Sequence, residues 1–116
     1  MEPHIPFIYK PDPAAVAKEV KKLRQRIAEE TWVAEKSLDE GNRQKAALCY
    51  LSAWEALEEI CGLTCSEEDK LALAQSSWDL GDFEDVGVKE IAKRDYKSWA
   101  GCLWRDCFER KRLPAY

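Results

Sequence analysis

Two residue types in this chain could carry chemistry, the thiols and a lone imidazole. Cys61-x3-Cys65 and Cys102-x4-Cys107 are spaced closely enough to raise a four-thiolate zinc site. Structural zinc sites place paired thiolates two to four residues apart on a tight knuckle. Cys102 and Cys107 instead fall on a helical stretch, about 140° apart around its axis. They diverge, and no metal is expected. His4 is the only histidine and lies in a proline-rich arm, so no His-based triad or dyad can be assembled. There is no Gly-rich phosphate loop, and no carboxylate pair stands out from the many solvated acids. The expectation is a protein without catalytic residues or a cofactor.

The bulk properties narrow the class further. The formal net charge of -4 counts against nucleic acid as a default partner. Val88-Lys89-Glu90-Ile91-Ala92-Lys93-Arg94 resembles the first helix of a helix-turn-helix, but no second helix with a basic, base-reading face follows. Weak DNA binding is therefore only a second alternative. No apolar run approaches the ~18 residues of a membrane span. The opening Met1-Glu2-Pro3-His4 lacks the basic and apolar regions of a signal peptide. Five cysteines, an odd number spread through helical stretches, suggest reduced thiols in a cytoplasmic protein. Five tryptophans in 116 residues point to interfaces, where indoles are enriched.

What must position these tryptophans is a set of helices. Residues 1–11 read as an extended arm, because Pro3, Pro6 and Pro11 each fix their own φ and bias the preceding residue away from helix. Residues 12–116 read as a single helical domain. Asp12 is a natural N-cap, Pro13 fits the first helical position, and Gly41 marks the end of a long first helix. Val16, Val20, Leu23, Ile27, Ala34 and Leu38 fall on one stripe of it, spaced as a packing seam needs. Trp32 falls almost opposite, among Lys18, Lys21, Gln25, Lys36 and Asp39. The charges run basic over 18–26 and acidic over 29–40, against the helix dipole. A second copy of the helix, packed antiparallel, would match each half with its opposite, so a homodimer through this helix is expected.

Helix 2 is expected from Arg43 to Cys61, with Ala46, Tyr50, Ala53, Leu57 and Ile60 on its main face and Trp54 on the shoulder. Gly41-Asn42-x3-Ala46-x3-Tyr50-x2-Ala53 resembles the second half of a tetratricopeptide repeat, in which small residues let paired helices approach closely. Trp78-x2-Gly81-Asp82-Phe83 is a poorer echo of the same pattern. There is no closing proline and no clean 34-residue period, so the resemblance implies a helical hairpin and not a repeat array. Ser66 caps a third helix that ends at Gly81, and a last helix is expected from about Lys93 to Lys111. Trp104 and Phe108, four apart, form a second stripe on the shoulder of that helix. The fold class is thus all-α, a small irregular bundle of four to five helices built on a long hairpin.

Function is expected from apolar residues that this core does not need. Trp32, the arm residues Phe7, Ile8 and Tyr9, and Leu48, Leu51, Trp104 and Phe108 form the candidate partner-binding set. The expected partner is another protein, a transcriptional regulator being one option. Size, acidity and the lack of catalytic residues are shared with antiactivators and other small inhibitors that sterically mask a dimerisation or ligand surface, an argument by analogy. An adaptor or structural subunit of a complex is the first alternative.

Overall fold

The first helix begins where an aspartate meets a proline. In the computed structural model, which describes residues 12–112 and side chains as far as Cys107, α1 spans Pro13–Asp39. Asp12 accepts the Ala14 N–H at 3.2 Å, satisfying one of the orphan donors at the helix start. Gly41, at φ +78°, turns the chain in a conformation that other residues adopt at a cost. Asn42 then accepts the Lys45 N–H at 3.1 Å and opens α2, Arg43–Thr64.

Helix α2 runs three residues past its expected end, because Gly62 is absorbed within it. The stop is Cys65, a left-handed residue at φ 53° whose N–H bonds the Cys61 carbonyl at 2.9 Å. Ser66 caps α3, Glu67–Gly81, which places three acids in its first turn where the dipole favours them. A short 3-10 turn over Glu84–Val86 and a single turn, α4, over Lys89–Ala92 lead to α5, Tyr96–Arg112. This last helix starts later than expected because Asp95 caps it, accepting the Ser98 N–H at 3.1 Å. Among the described residues there are five α-helices and no strand, an all-α fold built on the α1–α2 hairpin.

Helix α2 is the spine. Ala56 and Ile60, both buried, pack against Leu23 of α1, on which Ala34 and Ser37 are also buried. A different stripe, Ala47, Leu51 and Trp54, joins Leu73, Leu80, Phe83, Val88, Ile91 and Tyr96 in the larger core. Helix α3 packs on α2 and α5 packs on α3, while α1 and α3 barely touch. Gly81 is buried where α3 meets α5, and a side chain there would collide with the stem of Lys97.

Two sequence expectations change here. Leu51, placed among the surplus apolar positions, belongs to the core, since α2 is covered on two sides and needs two stripes. The α1 seam is already taken by α2: Leu23 and Ala34 are buried, and Val20 and Ile27 are half-buried against it. That seam is not free for a second copy.

Candidate partner-binding surface

Five tryptophans occupy three environments, and the differences locate the exposed surface. Trp54 is fully buried. Its Nε1 donates to Ser77 Oγ at 2.7 Å, and Ser77 in turn donates to the Leu73 carbonyl at 2.8 Å, so the indole N–H is satisfied inside the core. Tyr96 and Trp99 meet its ring edge-on, each with centroids 5.2 Å away. Trp78 and Trp104 form a tilted pair at 5.9 Å between α3 and α5, with the Lys97 ammonium 4.8 Å from the Trp78 ring. Trp104 is only half-buried there.

Trp32 stands apart. It is 63% exposed on the outer face of α1, with the Lys36 ammonium 5.2 Å from its ring. Helix α1 is covered by α2 on the seam side only, so nothing within the described fold shelters this indole. Leu48, also in the candidate set, is 49% exposed. Phe7, Ile8 and Tyr9 lie outside the described residues, as does the side chain of Phe108.

The charge order along α1 is partly used within the chain. Arg24 forks onto Asp69 with contacts of 3.2 and 3.4 Å, tying α1 to the start of α3. Thr64 Oγ1 donates to the same carboxylate at 2.8 Å. Burial works to raise the Asp69 pKa, but the Thr64 hydroxyl and the Arg24 guanidinium outweigh it and hold the carboxyl below its usual value. Arg26 reaches Ser52 at 2.8 Å and Glu55 at 3.7 Å on α2. Two of the basic residues that motivated an antiparallel copy therefore have partners in the same chain.

A feature that side-chain patterning did not reveal lies between α1 and α3. Because these helices flank α2 without closing on each other, they leave an open groove of about 290 Å³. Its floor is Tyr50, Ala53 and Leu57, one stripe of α2, and its walls include Ile27 and Thr31 on one side and Ala72, Gln75 and Ser76 on the other. In the sequence this floor looked like ordinary core, and only the sparse contact between α1 and α3, limited to their Arg24–Asp69 end, leaves it partly open.

The thiols show no site chemistry. Cys107 is buried, Cys65 and Cys102 are exposed, and all five cysteines are free. Burial pushes the Cys61 thiol up, with Asp69 adding to the effect, which opposes formation of a reactive thiolate. Among the described residues no group of His, Cys, Asp or Glu could hold a metal ion, and no helix is long and apolar enough to cross a membrane. Tyr96 Oη is buried; burial raises its pKa, while the charge of Arg94 and a weak hydrogen bond from its guanidinium oppose that rise. Compared with known protein families, curated proteins and solved structures, the chain matches none of them.

Proposed function

We propose that the protein is a non-enzymatic regulatory module that binds a larger protein and inhibits or sequesters it by steric masking. The observation that carries this reading is Trp32, a large indole 63% exposed on a rigid helix and surrounded by charged residues. An exposed indole costs solvation in the free protein and yields its full apolar area on docking, which is why tryptophans dominate binding hot spots. Its helix is anchored by α2 along one face and by the Arg24–Asp69 fork, so little ordering entropy opposes docking. Leu48 adds exposed apolar area on α2.

Self-association would use the same outer face of α1. Lys18, Lys21 and Lys22 remain exposed toward its start, and Glu29, Glu35 and Asp39 toward its end. An antiparallel second copy would oppose these two bands. Light scattering at tens of micromolar tests this directly, and a monomer there removes the dimer.

The principal test is an affinity pull-down from source-cell lysate with the wild type and Trp32→Ala. One stoichiometric protein retained by the wild type and lost by the variant supports the reading and assigns Trp32 as its anchor. If neither bait retains a specific protein while both remain folded, the inhibitor reading fails.

A further inference from the structure

We infer that the chain's own N-terminal arm, through Phe7 and Tyr9, folds back over the open end of the α1–α2 hairpin and covers Val16, Val20 and Leu63. This surface is separate from Trp32, and the inference goes beyond masking by that residue.

The hairpin seam is closed in its middle and open at one end. Leu23, Ala56 and Ile60 meet in the closed part and are at most 5% exposed. One turn further on, the same two stripes present Val20 and Val16 on α1 and Leu63 on α2, at the helical spacings of three and four. Yet Leu63 is 37% exposed and both valines are only half-buried. Nothing among the described residues closes this end of the seam.

The segment that joins the fold at this end is apolar and has the right reach. Ile5, Phe7, Ile8 and Tyr9 all precede Asp12. Val16 and Val20 lie about 6 and 12 Å along α1 from Asp12. Tyr9 extends up to about 10 Å from the same residue and Phe7 up to about 18 Å, so a returning arm brings each ring level with one valine. Phe7 and Tyr9 share one side of an extended segment, about 6.6 Å apart, which matches the ~6 Å rise from Val16 to Val20. Tyr9 thus packs on Val16, and Phe7 on Val20 and Leu63. Trp32, about 30 Å along α1 from Asp12, stays out of reach.

The junction and the prolines favour the return. Asp12 is the N-cap, with extended backbone at φ -60° and ψ 124°. Pro11 therefore stands at the position before the cap and Val16 at the fourth helical position, the pair that forms a hydrophobic staple and sets the angle of entry. Pro6 and Pro11 bracket the aromatic segment and fix φ on either side of it, so less freedom is lost when the arm docks. Neither has an N–H to satisfy, and the remaining donors of a strap lying on side chains stay turned to water.

The test uses the full chain, labelled with carbon-13 and nitrogen-15, and nuclear Overhauser contacts. The expected result is contacts from the Phe7 ring to the methyls of Val20 and Leu63, and from the Tyr9 ring to Val16, that persist unchanged per molecule on tenfold dilution. A soluble nitroxide, TEMPOL, reads the cover: Phe7→Ser should raise the broadening of the Leu63 methyl signals at least twofold, and Tyr9→Ser should do so at Val16. Trp32→Ala should leave both unchanged. Absence of the contacts, or equal broadening in wild type and Phe7→Ser, would overturn the inference. So would contacts between labelled and unlabelled chains in a mixed sample, which would identify the arm of a second copy as the cover. Loss of the Trp32-dependent partner leaves these results untouched, so the two readings fail separately.

Discussion

Trp54 and Trp32 are the same residue on neighbouring helices and have opposite fates. Trp54 sits where α2, α3 and α5 converge, with its N–H bonded and two aromatic rings against its faces and edges. Trp32 projects from the one helix in the hairpin that has a single covered side. Burial in the first case organises a core, and exposure in the second leaves area for something else. The contrast teaches that helix number, more than helix pattern, sets what is free. α2 has neighbours on two sides and uses two apolar stripes, whereas α1 has one neighbour and uses one.

The largest effect that would test this contrast is at Trp54. Trp54→Ala should cost about 3–5 kcal/mol, since it empties a fully enclosed site and removes the donor to Ser77 Oγ. Urea unfolding with an unchanged slope would register it as a drop in midpoint. A cost below about 1 kcal/mol, the range of an ordinary substitution, would mean that the core does not close around this ring.

Next in size is the bridge that ties α1 to α3. Asp69→Asn should cost about 1–3 kcal/mol at neutral pH by weakening the bonds from Arg24 and Thr64. The sign with pH follows from the lowered Asp69 pKa. Its contribution is present above the unfolded-state value of about 3.9 and is lost as pH falls through the lower folded value. Wild type and variant should therefore converge in stability on the acid side. Parallel stability curves over that range would show that the carboxylate has no linked role.

A smaller effect of opposite sign is expected within the Trp54 region itself. Tyr96→Phe removes a buried hydroxyl whose one neighbour of opposite polarity is the weakly bonded guanidinium of Arg94, while keeping the edge-on ring contact. It should leave thermal stability unchanged or raise it by about 1 kcal/mol. A clear loss would show that the Arg94 contact, or a bonded water, holds Oη more strongly than this.

The smallest effect on stability belongs to Trp32. Trp32→Ala should stay within about 0.5 kcal/mol of wild type, because the ring contacts little of the fold beyond Lys36. Near-neutral stability combined with loss of a bound partner is the pattern that sets an interface residue apart from a core residue. A cost comparable to that of Trp54→Ala would place Trp32 in a packed environment and undo the comparison.

Much of this molecule was legible in the sequence, and the reasons are local. Asp12-Pro13, Gly41-Asn42 and Ser66 fix the starts and turns through capping and backbone preference, which act over a few residues. The stripe from Val20 to Ala34 foretold which side of α1 faces its neighbour, because helical period alone separates that side from Trp32. The hairpin followed from the small residues of α2 and the tight turn before it. Gly62 was harder, whereas Gly81 ends α3 as expected. Both read as stops; Gly62 instead lies inside α2, and Gly81 besides ending its helix occupies a tight α3–α5 approach, since a glycine's role depends on what surrounds it.

The sequence by itself determined the helical class, the caps and the apolar faces, for these are set by neighbours within a turn or two along the chain. Only the tertiary structure decided that Leu51 lies in the core, that Arg24 and Arg26 find partners within the chain, and that an open groove separates α1 from α3. Each of these depends on which helices touch, and that follows from packing between residues far apart in the chain, such as Arg24 and Asp69, which no local periodicity encodes.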